Sequence, residues 1–150
     1  MAQKNVILHQ EPTLLGSITP ASLDGRDPGP AAEITGVVVR DLEERGRSAK
    51  GLSLFGSYST PLLDADELPG LVRATKVVAA KYQDWEKTGT CSGQRVRFDT
   101  KSGIRLELSC FYSRLYCSVG DGGRAINLNR DGLKELERLL EKADDWLRTQ

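Results

Sequence analysis

The residues best placed to do chemistry are arginines and aromatic rings at alternating positions, and the chemistry they suit is recognition. Between Gln94 and Val119 the basic residues Arg95, Arg97, Lys101, Arg105 and Arg114 meet Asp99 and Glu107 as the acidic ones. Strand alternation sends Arg95, Arg97, Arg105, Ser109, Phe111 and Tyr116 to one face, with Glu107 opposing the charge there. Val96, Phe98, Ile104, Leu106, Leu108, Cys110, Leu115, Cys117 and Val119 go to the other face. A two-residue turn at Ser113 and Arg114 would set Phe111 opposite Tyr116 and Cys110 opposite Cys117. Guanidinium groups contact phosphates, and exposed rings stack on unpaired bases for about 1–3 kcal/mol each. The mixture therefore suits single-stranded nucleic acid. The same residue types also cover ordinary solvent-facing strands, and on that reading the face has no ligand. A comparable set before it, Arg40, Arg45, Arg47, Lys50, Phe55 and Tyr58, is diluted by Asp41, Glu43 and Glu44.

Catalytic patterns are scarce. His9 is the one histidine, which leaves no Ser/His/Asp or Cys/His set to assemble. Cys91, Cys110 and Cys117 form no C-x-x-C pair and are odd in number, so they read as buried reduced thiols, with no disulfide framework and no zinc set. The run Gly120-Asp-Gly-Gly123 lacks the Lys-Ser/Thr and the directly following helix of a phosphate loop and reads as a hairpin turn. Glu135, Glu137, Glu141, Asp144 and Asp145 fall on the solvent side of a helix, without the loop spacing of a metal site. The expectation is a non-enzymatic chain without cofactor or metal.

These faces need elements to hold them. Short apolar runs at Val6–Leu8 and Thr13–Ile18, broken by Pro12 and Gly16, suggest an edge strand or two. Residues 19–33 concentrate Pro, Gly and Asp and read as an exposed flexible loop with no share in the core. Ile34–Leu42 and Gly51–Ser59 read as a hairpin turning through Glu43–Lys50. Leu68, Leu71, Val72, Thr75, Val78, Ala79, Tyr82 and Trp85 recur at helical spacing; Asp64 or Asp66 caps the start, and Gly89 ends the helix. Four strands follow as a meander, about Gln94–Asp99, Ile104–Cys110, Leu115–Val119 and Arg124–Leu128. A last helix, capped by Asn129 or Asp131, buries Leu133, Leu136, Leu139, Leu140, Ala143 and Trp146.

The halves look like copies. Asp66-Glu-Leu68-Pro-Gly-Leu71 aligns with Asp131-Gly-Leu133-Lys-Glu-Leu136, Leu63 with Leu128, and Lys81-Tyr-Gln-Asp-Trp85 with Lys142-Ala-Asp-Asp-Trp146. The fold expected is α+β: two pseudo-repeated units, about 1–89 and 90–150, each an antiparallel meander plus a C-terminal helix, packed through their helices into one domain. Each unit is too small to bury its apolar face alone, so the helices cover both and leave the outer sheet faces to solvent. The composition agrees, with 150 residues, 39% of them hydrophobic, and 21 basic against 21 acidic side chains. Zero net charge excludes a generally basic nucleic-acid binder but not a local basic face. No run is long and apolar enough for a membrane span and no secretory signal opens the chain, which sets the expected address as cytoplasmic.

Ala125-Ile-Asn-Leu-Asn129, feeding a helix with Leu133, Leu136 and Leu140, resembles the single-stranded-DNA-binding coactivator family called positive cofactor four, over about Gln94–Trp146. Two such units in one chain look like the Whirly proteins. The resemblance implies curved sheets that bind unpaired DNA or RNA, with Arg95, Arg97, Arg105, Phe111, Arg114 and Tyr116 on the matching strands, and a role in transcription or nucleic-acid metabolism. The Lys-Gly-rich assembly motif of Whirly proteins has a faint echo in Ala49-Lys-Gly-Leu52. The alternative function is a protein-interaction module or homo-oligomer using the same aromatic face or the helix faces.

Overall fold

The computed structural model describes residues 8–22, 29–41, 47–54, 63–91 and 93–150. The first sheet has the order β1-β2-β3-β4, from β1 (Leu8–Ile18), β2 (Ala32–Asp41), β3 (Arg47–Leu54) and β4 (Leu63–Asp64). Helix α1 (Leu68–Thr88) follows. The second sheet, β5-β6-β7-β8, comprises β5 (Arg95–Asp99), β6 (Arg105–Phe111), β7 (Arg114–Gly120) and β8 (Ala125–Leu128), and α2 (Arg130–Arg148) closes the chain. Among the described residues every strand pairing is antiparallel. The architecture is the α+β pair of sheet-plus-helix units that the repeat predicts.

Several boundaries differ from expectation for local reasons. β1 is one strand: Pro12 is tolerated because β1 lies at the sheet edge, and a bulge between Leu14 and Gly16 absorbs the second interruption. β4 is too short to show alternation. The expected loop at 19–33 takes part in the core after all, since Pro20 and Ala32 are buried. The Ala21 N–H donates to Asn127 O at 2.8 Å, fastening this segment to the outer edge of β8. The part of that loop at 23–28, the turn at 42–46 and the strand end expected at Phe55–Ser59 lie outside the described residues.

The helices lie antiparallel, as the pairs Lys76–Glu141 at 2.8 Å and Arg130–Glu86 at 3.3 Å require. They are exchanged between units. α1 packs on β5, β6 and β7, whereas α2 packs on β1, β2 and β3 besides β8, which leads into it. One apolar cluster therefore runs through both halves. The internal symmetry is visible in burial: Leu68, Leu71, Ala74, Thr75, Val78 and Tyr82 in α1 match Leu133, Leu136, Leu139, Leu140, Ala143 and Leu147 in α2 at a constant offset of 65 residues. The tryptophans break that offset. Trp85 is buried in α1, while Trp146 is half-buried over Gly36 of β2, so they are not counterparts as the sequence alignment paired them.

Capping differs too. Asn129 caps α2 as expected, its side chain accepting from the Gly132 N–H at 2.7 Å, a bond worth about 1 kcal/mol. At α1 neither Asp64 nor Asp66 caps: the N-cap position is Glu67, whose carboxylate instead takes the Ser102 hydroxyl at 3.0 Å and ties α1 to the β5–β6 turn. Gly89 ends α1 in the left-handed conformation, as the sequence predicts. Lys50 donates to Leu147 O at 2.7 Å, satisfying a carbonyl at the α2 C-terminus. Lys142 donates to Leu15 O at 3.0 Å in the β1 bulge.

The cysteine reading needs correction. Cys91 and Cys110 are joined by a disulfide, Cα atoms 5.7 Å apart, and Cys117 alone is a free buried thiol. Sequence spacing hid the pair because it forms between the link after α1 and a strand that only the fold brings beside it. Burial pushes the Cys117 pKa up to about 12 from an ordinary 9.0. The folded thiol thus keeps a proton that the unfolded thiol loses, so its contribution is complete below pH 9.0 and declines as pH rises toward 12. Denaturant melts from neutral to alkaline pH should show stability falling in that window by up to about 1.4 kcal/mol per pH unit from this group. Cys117→Val should flatten the decline, although burial of Tyr82, which raises its phenol pKa, keeps part of it. An identical slope in the variant would contradict this assignment.

Candidate nucleic-acid interface

Antiparallel register decides which side chains of the second sheet share a face. Arg97 pairs with Glu107, Asp99 with Arg105, Arg95 with Ser109, Ser109 with Tyr116, and Phe111 with Arg114. Arg95, Arg97, Arg105, Phe111, Arg114 and Tyr116 therefore all lie on one side, opposite the core-facing Leu106, Leu108, Cys110, Cys117 and Val119. The β6–β7 turn is Tyr112–Ser113, one residue earlier than the spacing suggested, which corrects two pairings: Phe111 faces Arg114 instead of Tyr116, and Cys110 faces Leu115 instead of Cys117. A shift applied to both strands preserves which face each residue occupies. Phe111 and Tyr116 still meet diagonally, with ring centroids 6.4 Å apart and planes tilted by 50°.

The face has two ends. At the hairpin end, Phe111 is 48% exposed and Tyr112 94% exposed. Tyr112 and Ser113 have φ of 50° and 63°, a left-handed pair that tight hairpins demand and that side chains other than Gly, Asn and Asp adopt at a cost of about 1 kcal/mol or more each. Sequence reasoning passed over Tyr112 because its exposure depends on where the turn falls. About 20 Å away along β6, by strand rise, is the arginine end. There Asp99 binds Arg105 at 2.7 Å and Arg97 at 3.1 Å. The hydrogen bond to Arg105 holds the Asp99 carboxyl below its ordinary pKa and raises that of the guanidinium. Glu107 is thus not the sole opposing charge: Asp99 shares the face, while Glu107 lies 3.6 Å from Arg95.

Beside Asp99 and Arg105, Ser118, Arg124 and the glycine turn line an open pocket of about 570 Å³. The turn itself is built on Asp121, whose Oδ1 accepts from the Gly123 and Arg124 N–H groups at 2.9 and 2.8 Å. It is the hairpin turn expected from the sequence. Ser109, expected outward, is only 6% exposed because it sits between Arg95 and Tyr116; its hydroxyl donates to Glu107 at 3.2 Å.

The first sheet is a different surface. Thr35, Val37 and Ser53 alternate with core-facing residues yet are buried, so its outer face is not laid open as the repeat suggested. Of the comparable residues there, Lys50 is committed to α2, and Arg45, Phe55 and Tyr58 lie outside the described residues. Among the described residues no group of three or more His, Cys, Asp and Glu converges on a point, and no helix is long and apolar enough to cross a membrane. Comparison with protein-family models gives no match, and neither curated proteins nor solved structures give a significant one.

Proposed function

We propose that the chain is a non-enzymatic single-stranded DNA or RNA binder that uses the outer face of its second sheet. The carrying observation is that four arginines, Arg95, Arg97, Arg105 and Arg114, share this face with the exposed Phe111 and the adjacent Tyr116, beside the turn that displays Tyr112. Phosphates would lie on the arginines while bases stack at the hairpin end. Asp99 and Glu107 leave the face net positive and also hold three of the guanidinium groups in place. A transcriptional or nucleic-acid-metabolic role belongs to the same proposal.

Titrating a labelled single-stranded oligonucleotide at low salt should show binding that weakens as salt rises. Tyr116→Ala with Arg105→Ala should weaken it about tenfold or more, from lost stacking and a lost phosphate contact. Absence of wild-type binding at low salt would reject the proposal. A second reading is favoured by the three ion pairs, which blunt the positive field: the exposed hairpin tip would dock another protein or a second copy of the chain. Concentration-dependent mass in solution, or a capture resistant to nuclease, would support that reading instead.

A further inference from the structure

Behind the β6–β7 hairpin, between β7 and the last turns of α1, lies a second cleft of about 350 Å³, walled by Tyr82, Trp85 and Tyr116 and rimmed by Glu86, Gly89 and Arg114. β8 stops short of it: its last residue, Leu128, pairs with Cys117, so among the described residues no strand pairs with Leu115 on that side. The Cys110 N–H donates to Gln94 O at 3.0 Å and its carbonyl accepts from the Gly93 N–H at 2.9 Å, so its main-chain groups point toward β5. Its cross-strand partner Leu115 must then direct its own N–H and C=O away from β6, toward the cleft.

We infer that this cleft receives one unpaired nucleobase carrying an exocyclic amine, flipped off the outer face past Tyr116. The inference rests on the proposed nucleic-acid reading, since Tyr116 belongs to both surfaces. Tyr116 offers a flat ring a stacking surface over the small exposed parts of Tyr82 and Trp85, and the Leu115 donor and acceptor, side by side, match the edge of a heterocycle. One open residue on the edge is too little for a peptide to add as a strand. The C-terminal end of α1 turns its last carbonyl groups toward the rim, which favours amino groups inside, while Glu86 is paired with Arg130 and Arg114 holds the phosphate at the mouth.

The test is amide and indole NMR on the wild-type chain with short oligodeoxyadenylate and oligothymidylate of equal length. Oligodeoxyadenylate should shift the Leu115 and Gly89 amides and the Trp85 indole, and should bind more tightly than oligothymidylate. If both oligonucleotides bind but shifts stay on Phe111, Tyr112 and the arginines, the cleft inference is overturned while the face reading stands. If neither binds, the face reading fails, and adenosine 5′-monophosphate alone then decides the cleft: shifts at Leu115 and Trp85 sustain it, and their absence overturns it.

Discussion

Gly36→Ala is expected to lower the unfolding free energy by about 3 kcal/mol, a large part of the 5–15 kcal/mol typical of a domain. A methyl group at Gly36 would overlap the Trp146 ring, with Cε3 and Cη2 both 2.7 Å from the added carbon. That carbon sits on a strand and cannot retreat without disturbing pairings to both Thr13 and Leu52. Trp146 lies on α2, so the clash exists only because the second unit's helix covers the first unit's sheet. Trimming the ring should relieve it: Trp146→Leu costs stability alone, yet in the Gly36→Ala background it should cost much less, a coupling visible in a double-mutant cycle from denaturant melts. Simple additivity would show that the helices are not exchanged between units.

Cys91→Ala with Cys110→Ala is expected to cost about 3 kcal/mol, because the bond closes a loop of 19 residues. For a chain of this size, that predicts a Tm lower by about 6–12 °C, with wild type in reductant falling by a similar amount. Mass spectrometry gives the direct check: alkylation of the unfolded, unreduced chain should modify Cys117 alone, and prior reduction should expose all three thiols. Three modified cysteines without reductant would disprove the bond. The bond also bears on location. Cytosolic thiols are generally kept reduced, so an intact Cys91–Cys110 bridge in protein taken from its native compartment would argue against the cytoplasmic address expected from the sequence.

Much of this molecule was legible in its residues before any contact was known. Apolar spacing in α1 and α2, glycine after Thr88, asparagine before Arg130 and alternation from Arg95 to Val119 are local properties. They act through backbone geometry and burial of one face, so they placed the helices, the second meander and the side of the sheet that carries Arg95, Arg97, Arg105, Phe111, Arg114 and Tyr116. Other features depended on pairs of residues far apart in the chain. The Cys91–Cys110 bond, the Asp99 bridge to two arginines, the seating of Ala21 on β8 and the exchange of helices between sheets arise where distant segments meet. Periodicity says which face of an element must be buried, but both sheets present similar apolar faces and both helices similar apolar stripes. Only the packed structure, where Trp146 finds the bare backbone of Gly36 and α1 finds β6, decides which covers which.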